Sequence, residues 1–273
     1  MPVTYVGAVG DGAVHPVFAK FAERVREVVP VGAPSHTDCM EFDDGKLMFN
    51  NTANVQAITW ARLIERVGLV KLTRLVDDAR LLGIVNWSLL GGVPGIWRGL
   101  AREVWPRVSD SPRRLFVDLS DPAKRTDDDV RGAMAQLREL EELRGLSVTL
   151  GLNLAESERI ARVMGATTGA HDDRALADRA AALRATLGLD CVVIHRREGA
   201  AAANGDERAW FEGPFTPTPR LSTGAGDHFN GGFVFGQVHG FELAECLAVA
   251  CGVSGAYVRD AESPARARVG EVL

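Results

Sequence analysis

The chain has 273 residues and a formal net charge of −5 at pH 7, with 46% hydrophobic and 25% charged residues. This acidic balance, without a clustered basic face, argues against binding to nucleic acid, and no apolar stretch is long enough to span a membrane. The N-terminal residues lack the basic start and the long apolar middle of a secretory signal, so we expect a cytoplasmic protein.

Short apolar runs alternate with amphipathic stretches along the chain, a pattern typical of a largely parallel sheet covered by helices. The first strand is predicted at 4–7, and a helix is predicted at 17–29, where Pro16 can begin it and Phe18 and Phe21 share a face with two valines. Further strands are predicted at 84–87, 115–118, 147–150 and 191–194. Further helices are predicted at 96–108, 128–143, 156–164 and 174–187.

Two tight-turn sequences lie between strand-like arms and predict hairpins. The first is Asp-Asp-Gly at 43–45, within a hairpin of about residues 37–50, and the second is Asn-Gly at 204–205, within a hairpin over 201–211. The chain shows neither an internal repeat nor a linker, so we predict a single domain over residues 1–273.

The cysteines have neither CxxC spacing nor a metal-ligand spacing with histidine, and this predicts reduced thiols in the core. They are Cys39, Cys191, Cys246 and Cys251.

A glycine-rich run at 221–233, L-S-T-G-A-G-D-H-F-N-G-G-F, joins a tight turn to the predicted start of a helix. Gly224, Ala225 and Gly226 leave their backbone N–H groups free to approach an anion, and the positive end of the helix would face it. Asp227 in the first helical turn could then take a proton from an attacking hydroxyl. The alternative is an ordinary strand-to-helix turn in which Asp227 only complements the helix dipole.

A second polar pair, Asn153 and Glu156, follows the predicted strand at 147–150. Ligands gather at the carboxyl ends of strands in open α/β sheets, and an amide oxygen with a carboxylate suits a hydrated Mg²⁺ ion. The alternative is a capping box, in which Asn153 begins a helix and Glu156 closes its first turn.

The run at 221–233 resembles the C-terminal signature of the ribokinase-like (PfkB) carbohydrate kinases, which is close to D-T-x-G-A-G-D-x-F-x-x-G-F. The G-A-G-D core, Phe229, Gly232 and Phe233 match, whereas Leu221 and Ser222 stand where the family has Asp and Thr. Asn153 and Glu156 resemble the family's N-x-x-E element. The stretch at 116–125 loosely resembles the family's F-D-x-N-x-R stretch.

The resemblance implies a three-layer α/β/α sandwich with a mostly parallel central sheet and a small β lid, which would include the hairpin at 37–50. It implies a kinase that transfers the terminal phosphoryl group of a nucleotide to a hydroxyl of a sugar, nucleoside or related polyol. By resemblance, Asp227 is the catalytic base and the amides of Gly224, Ala225 and Gly226 form the anion hole. Asn153 and Glu156 would hold Mg²⁺ through water.

For the nucleotide, the resemblance implies ATP as donor, with ADP not excluded. The helix at 246–257, including Cys251, would line the purine site. The segment at 194–199 lies where relatives have T-x-G-x-x-G near the phosphates, and Gly199 is the residue that matches. Arg196 or Arg197 could supply positive charge there instead of backbone contacts.

The stretch Y-V-G-A-V-G-D-G at 5–12 resembles the family's V-G-x-V-G-x-D segment, whereas relatives have a further strand and a G-G-x-x-x-N element ahead of it. We therefore expect the chain to lack part of the usual acceptor site. An alternative function follows, a kinase-like remnant that binds a nucleotide or polyol as a regulatory protein. The expected partners are a small sugar or nucleoside, a nucleotide and, in a homodimer, a second copy of the chain.

Overall fold

The structure is a computed structural model that describes residues 1–42, 45–166 and 173–273. These residues group into two units, one of Met1–Ala79 with Asn86–Asp110 and one of Arg80–Val85 with Ser111–Leu273. That residues 1–273 form a single domain stays a prediction. Within the described ranges, no helix is both long enough and apolar enough to cross a membrane.

The first unit contains two small sheets and several short helices. Its strands are β1 (Thr4–Gly7), β2 (Glu27–Pro30), β3 (His36–Phe42) and β4 (Gly45–Asn51). Its helices are α1 (Ala19–Ala22), α2 (Ala53–Gln56), α3 (Trp60–Val67), α4 (Leu69–Asp77) and α5 (Val93–Gly99). Strands β1 and β2 pair in parallel, and β3 and β4 pair antiparallel with Met40 opposite Leu47.

The helix predicted at 17–29 is wrong beyond its first turns. A 3₁₀ turn at Pro16–Phe18 leads into α1, which ends at Ala22, and the chain then forms β2 beside β1. The β-branched pair Val28 and Val29 suits an extended strand, and Val29 is buried there. Pairing with β1 therefore decides the conformation over the helical spacing of the apolar residues.

Both predicted hairpins have their arms paired as expected. Strands β3 and β4 form the first, while its turn residues 43 and 44 lie outside the described residues. In the second hairpin the Asn204 side-chain oxygen accepts hydrogen bonds from the N–H groups of Asp206 at 2.9 Å and Glu207 at 2.8 Å. Asn204 thus stabilises its own turn.

The helix predicted at 96–108 begins earlier and does not stay regular. Helix α5 ends at Gly99 and continues as a π-helical turn at Leu100–Val104 and a 3₁₀ turn at Trp105–Arg107. Pro106 has no N–H to continue an α-helical ladder, which accounts for the irregular end. The strand predicted at 84–87 is likewise shifted, because Asn86 adopts a left-handed φ of 66° and ends it at Val85.

The second unit is built on one six-stranded sheet with the order β10-β9-β8-β7-β6-β5. Its strands are β5 (Leu81–Val85), β6 (Arg113–Asp118), β7 (Leu146–Asn153), β8 (Cys191–His195), β9 (Gly199–Ala203) and β10 (Arg208–Glu212). Strands β5 to β8 pair in parallel. Strand β9 pairs antiparallel with β8, and β10 pairs antiparallel with β9. Its helices are α6 (Asp127–Glu141), α7 (Leu154–Met164), α8 (Asp173–Leu187), α9 (Ala225–His239), α10 (Leu243–Asp260) and α11 (Arg266–Val272).

Helices cover both faces of this sheet, so the predicted α/β class and its three layers are confirmed. Phe116 and alternate residues of β8 and β9 pack against Phe229 and Phe233 of α9 and against apolar residues of α10. Helices α6, α7 and α8 contact the sheet through β7, β8 and β9. Strand β8 is almost wholly apolar because both of its faces are buried.

Candidate active site

Three neighbouring parallel strands end in polar residues at one edge of the sheet. Strand β6 ends at Asp118, β7 at Asn153 and β8 at His195, with Asn153 opposite His195 in the register. This is the carboxyl edge, where open α/β sheets bind their ligands. The start of α9 reaches the same edge, since Asn230 Nδ2 donates to Asp118 Oδ2 at 2.5 Å.

The start of α9 has no side chain capping it. Gly224 is the residue before the helix, with φ 91° and ψ 0°, a left-handed conformation that favours glycine. The N–H of Ala225 donates to Ser222 O at 3.2 Å, whereas the N–H groups of Gly224 and Gly226 have no acceptor among the described residues. Open N–H groups at the positive end of a helix make an anion-binding site.

Asp227 lies in the first turn of α9, beside these N–H groups. Its side chain reaches solvent, yet the atoms around its carboxyl partly desolvate it and raise its pKa above the ordinary 3.8. The negative charge of Asp118 raises the pKa further, and His228 lowers it. A carboxylate with a raised pKa is a stronger base, which suits proton abstraction from a hydroxyl.

Asn153 and Glu156 form a complete capping box at the start of α7. Glu156 N–H donates to Asn153 Oδ1 at 2.9 Å, and Asn153 N–H donates to Glu156 Oε2 at 2.8 Å. The second carboxylate oxygen, Oε1, accepts from Asp121 N–H at 3.1 Å. The capping box, which was the alternative interpretation of this pair, is thus present in the fold.

The Glu156 carboxyl is electrostatically strained. Burial raises its pKa from 4.5 to about 7, and the charges of Asp118 and Asp121 raise it too, while the hydrogen bond from Asn153 N–H lowers it. A cation near these carboxylates would relieve their repulsion. The described residues contain no cluster of three or more His, Cys, Asp or Glu side chains that could hold a metal. An amide oxygen and a carboxylate are donors of the type that a hydrated Mg²⁺ ion takes, and that ion needs few protein ligands.

Two residues at this edge were missed by the sequence analysis. The charge of Asp118 raises the pKa of the Asp227 and Glu156 carboxyls. The ring of His195 packs against that of Phe229, with centroids 4.8 Å apart. Desolvation lowers the pKa of His195 to about 4, so its ring is neutral near pH 7. The available signal was that each residue directly ends a buried strand of the parallel sheet.

The other predicted nucleotide residues lie beyond the end of β8. Gly199 begins β9, and a Cβ there would lie 2.3 Å from Phe211 O, so close packing requires glycine. Cys251 is buried in the core, and a Cβ on Gly213 would lie 3.6 Å from its Cβ. The Arg196 guanidinium lies over the Trp210 ring at 4.8 Å from its centroid. The Arg197 guanidinium lies over Phe215, 5.4 Å from its ring centroid.

A family model described as prokaryotic ketohexokinase matches residues 1–273 of the chain. The ketohexokinase of Haloferax volcanii is 34% identical over 259 residues, which are 95% of this chain and 67% of that protein.

Solved structures of similar fold are ribokinase-type and nucleoside kinases. The ribokinase of Thermotoga maritima has a TM-score of 0.67 at 15% identity, covering 98% of this chain and 80% of its own. The adenosine kinase of Sinorhizobium meliloti has a TM-score of 0.68 at 18% identity, covering 99% and 76%. The ribokinase of Cryptococcus neoformans in complex with ADP has a TM-score of 0.68 at 17% identity, covering 99% and 82%.

Proposed function

The chain belongs to the prokaryotic ketohexokinase family and is a PfkB-type carbohydrate kinase, and from this premise we propose that its phosphoryl acceptor is a ketohexose. Such a kinase transfers the terminal phosphoryl group of a nucleotide to a hydroxyl of a sugar or nucleoside. The relative with the matching name is 34% identical, against 15–18% for the ribokinase and adenosine kinase structures. The comparisons give no support to the alternative of a non-catalytic remnant.

The start of α9 is the observation that carries the proposed site. It combines an uncapped helix end, a left-handed glycine and a carboxylate in the first turn within four consecutive residues, Gly224 to Asp227. Phosphoryl transfer needs this combination, because the phosphoryl oxygens carry negative charge in the transition state while the attacking hydroxyl loses its proton. An ordinary capped helix start would offer only the charge of the acidic side chain.

In the proposed mechanism, Asp227 accepts a hydrogen bond from the acceptor hydroxyl and aligns its oxygen for attack. As the hydroxyl oxygen bonds to the terminal phosphorus, the bond from that phosphorus to the bridging oxygen breaks, the nucleotide leaves one phosphate shorter, and the proton moves from the hydroxyl oxygen to the Asp227 carboxylate. The N–H groups of Gly224, Ala225 and Gly226 donate to the phosphoryl oxygens and stabilise their charge. The N–H of Ala225 would share its hydrogen between Ser222 O and the phosphoryl group.

We assign Asn153 and Glu156 to Mg²⁺, held through water molecules because both side chains already bond to backbone N–H groups. Mg²⁺ neutralises charge on the nucleotide phosphates when it is bound. The capping box keeps the two side chains at the carboxyl edge of the sheet.

The nucleotide in this proposal is ATP, with ADP as the second candidate donor. Gly199 lies at the phosphate end of its site and Cys251 belongs to the helix that lines the purine. Arg196 and Arg197 follow β8 and stack on aromatic rings, and Glu198 Oε2 lies 3.5 Å from Arg196 Nε and offsets part of their positive charge. These charges favour binding of nucleotide phosphates at the end of β8.

The test is an assay of nucleotide consumption with a panel of acceptors, run with ATP and with ADP. The panel contains D-fructose and other ketohexoses, aldohexoses, D-ribose and adenosine, and the product of each positive reaction is identified by mass. We expect the highest kcat/KM with a ketohexose and ATP. A preference of about 10-fold or more for a pentose or nucleoside would overturn the ketohexose assignment.

We also propose a homodimer, supported by the hairpin of β3 and β4. One face of this hairpin carries Met40, Phe42, Leu47 and Phe49, with exposed fractions between 45% and 58%. An apolar face of this kind is unusual on a monomer. Sedimentation of the wild-type chain should give the mass of two copies, and a Phe49→Lys variant should sediment as one copy. A wild-type monomer would remove this proposal.

A further inference from the structure

Three side chains hold the three successive carbonyl oxygens of the turn that begins α9. In chain order, the hydrogen bonds run from Tyr257 Oη to Thr223 O at 2.6 Å, from His228 Nδ1 to Gly224 O at 2.8 Å and from Ser254 Oγ to Ala225 O at 3.0 Å. Tyr257 and Ser254 belong to α10, so the turn is fastened to the neighbouring helix as well as to its own.

These carbonyls belong to the same peptide groups as the proposed anion-hole N–H groups. In a planar trans peptide the C=O and the N–H of the next residue point in opposite directions. The oxygens of residues 223, 224 and 225 therefore share peptide planes with the N–H groups of Gly224, Ala225 and Gly226. A hydrogen bond to each carbonyl oxygen therefore fixes the direction of the N–H group in the same peptide plane.

His228 restrains the middle peptide of the three twice, because its backbone N–H donates to Gly224 O at 3.1 Å and its ring holds the same oxygen at 2.8 Å. A carbonyl oxygen only accepts hydrogen bonds, so the bond to Gly224 O requires the hydrogen on Nδ1. In the neutral ring Nε2 then accepts from Ser263 Oγ, which lies 2.9 Å away. The ring also stacks on Tyr257, with centroids 3.6 Å apart and planes inclined by 12°.

We propose that His228 is a positioning residue that orients the anion hole by holding the carbonyl of Gly224, an inference that rests on the proposed function of the α9 start. Its ring acts through the backbone and takes no proton from the substrate. The Ala225 N–H bonds to Ser222 O on the other side, so the middle peptide is restrained at both ends. Restraint of this kind lowers the cost of organising the site in the transition state.

The same helix offers a matched control at its far end. His239 Nδ1 bonds to Phe235 O at 2.7 Å, the same four-residue step back along α9, and its ring packs on Phe235 with centroids 4.1 Å apart. His239 therefore repeats the local chemistry of His228 in the last turn of the helix, away from the glycine turn. A purely structural role would make the two histidines equivalent in a kinetic assay.

The experiment measures kcat and KM for nucleotide in His228→Phe, His228→Asn and His239→Phe, together with their melting temperatures. His228→Phe keeps a ring to stack on Tyr257 and loses the donor, and we expect its kcat to fall about 10–100-fold with KM changed less than about 3-fold. His228→Asn restores a donor without the ring, so it should recover most of that loss. His239→Phe should keep the wild-type kcat.

Wild-type kcat in His228→Phe would overturn the positioning role, as would equal losses in His228→Phe and His228→Asn. Should His228→Phe fold poorly, His228→Leu decides, because it suits a helix and also lacks the donor to Gly224 O; we expect its kcat to fall too, and an unchanged kcat overturns the proposal. An Asp227→Asn arm separates the two levels of inference. Full activity in Asp227→Asn would sink the proposed function itself, whereas an inactive Asp227→Asn beside a fully active His228→Phe sinks only the positioning role.

Discussion

Helices α7 and α9 both begin at the carboxyl edge of the sheet, but they begin in opposite ways. At α7 the N–H groups of Asn153 and Glu156 are satisfied within the chain, because the two side chains close a reciprocal capping box. At α9 the preceding residue is Gly224, which has no side chain to offer, and the N–H groups of Gly224 and Gly226 find no acceptor in the described part of the chain.

The start of α7 contributes to stability, whereas the start of α9 is suited to ligand binding. Capping residues stabilise a helix by about 1 kcal/mol each, and α7 takes this gain at the end of β7. Helix α9 forgoes it and leaves its positive end open, while side chains of α9 and α10 hold the carbonyls of the turn. A helix start that is rigid and still unsatisfied is prepared for an anion, which the capped start of α7 is not.

Removing the carboxylate of α9 should have the largest effect on this comparison. We expect Asp227→Asn to lower kcat by roughly 10²–10⁴-fold, because the hydroxyl then has no base, with nucleotide affinity nearly unchanged. Glu245→Gln is the control, since Glu245 is also acidic and lies in the first turn of the neighbouring helix α10. Steady-state kinetics and nucleotide titration test both variants. Near wild-type turnover in Asp227→Asn would remove Asp227 from the mechanism.

The glycine of α9 can be compared with the glycine that ends α7. Gly224 and Gly165 both have left-handed φ, 91° and 68°, so alanine should cost about 1–2 kcal/mol of stability at either position. A Cβ on Gly224 would also lie 3.0 Å from Tyr257 Oη, whereas one on Gly165 meets nothing within 4 Å. We therefore expect Gly224→Ala to lose about 10–100-fold in kcat and Gly165→Ala to lose none. Equal kinetics in the two variants would show that the turn is only structural.

The sequence predicted β6, β7 and β8 well, because burial on both faces makes them continuous apolar runs, whereas the less buried β5 was predicted three residues too late. Strand β8, for example, was predicted within one residue of its ends. Helix 17–29 failed for the converse reason, since Phe18, Phe21, Val25 and Val28 have helical spacing and only pairing with a distant strand makes Val28 extended. Long-range pairing of this kind leaves no local signal.

At the site, the sequence identified the starts of α7 and α9 but not Asp118 and His195, which end neighbouring strands. Asp118 and His195 matter because the parallel register brings the ends of β6, β7 and β8 to one edge, a neighbourhood that the linear sequence does not display. Nor could spacing decide the role of Asn153 and Glu156, because the same geometry serves a cap and a hydrated cation. The roles assigned to the site residues therefore stay predictions for the variants to decide.

A metal role for α7 can be separated from its capping role with Glu156→Gln. Glutamine keeps an oxygen that can accept from Asn153 N–H, so the cap survives while the charge and the hydrogen bond from Asp121 N–H are lost. We expect the Mg²⁺ concentration for half-maximal activity to rise roughly 3–10-fold. Asp129→Asn is the matched control, because Asp129 closes the capping box of α6 with Thr126. An unchanged Mg²⁺ titration in Glu156→Gln would leave α7 with the cap alone.

The smallest expected effect is a pH dependence of stability that differs in sign between the two capping boxes. Burial first, then the charges of Asp118 and Asp121, raises the pKa of Glu156 to about 7 from 4.5. The folded state thus favours protonated Glu156, and the stability that this gives is complete below about pH 4.5 and is lost as the pH rises through about 7. Because Glu156 still reaches solvent, we discount the loss to about 1–2 kcal/mol.

Asp129 should act in the opposite direction. Hydrogen bonds from Arg125 and Thr126 lower its pKa below 3.8, so its contribution is present above that pH and is lost as the pH falls further. Urea unfolding in the absence of Mg²⁺ and nucleotide, at pH values from about 2 to 8, tests both signs. Glu156→Gln should flatten the decline of wild-type stability between about pH 4.5 and 7, and Asp129→Asn should leave that decline intact. A wild-type decline that persists in Glu156→Gln would assign it to another group and would mean that the Glu156 carboxyl is ionised in the folded chain throughout this range.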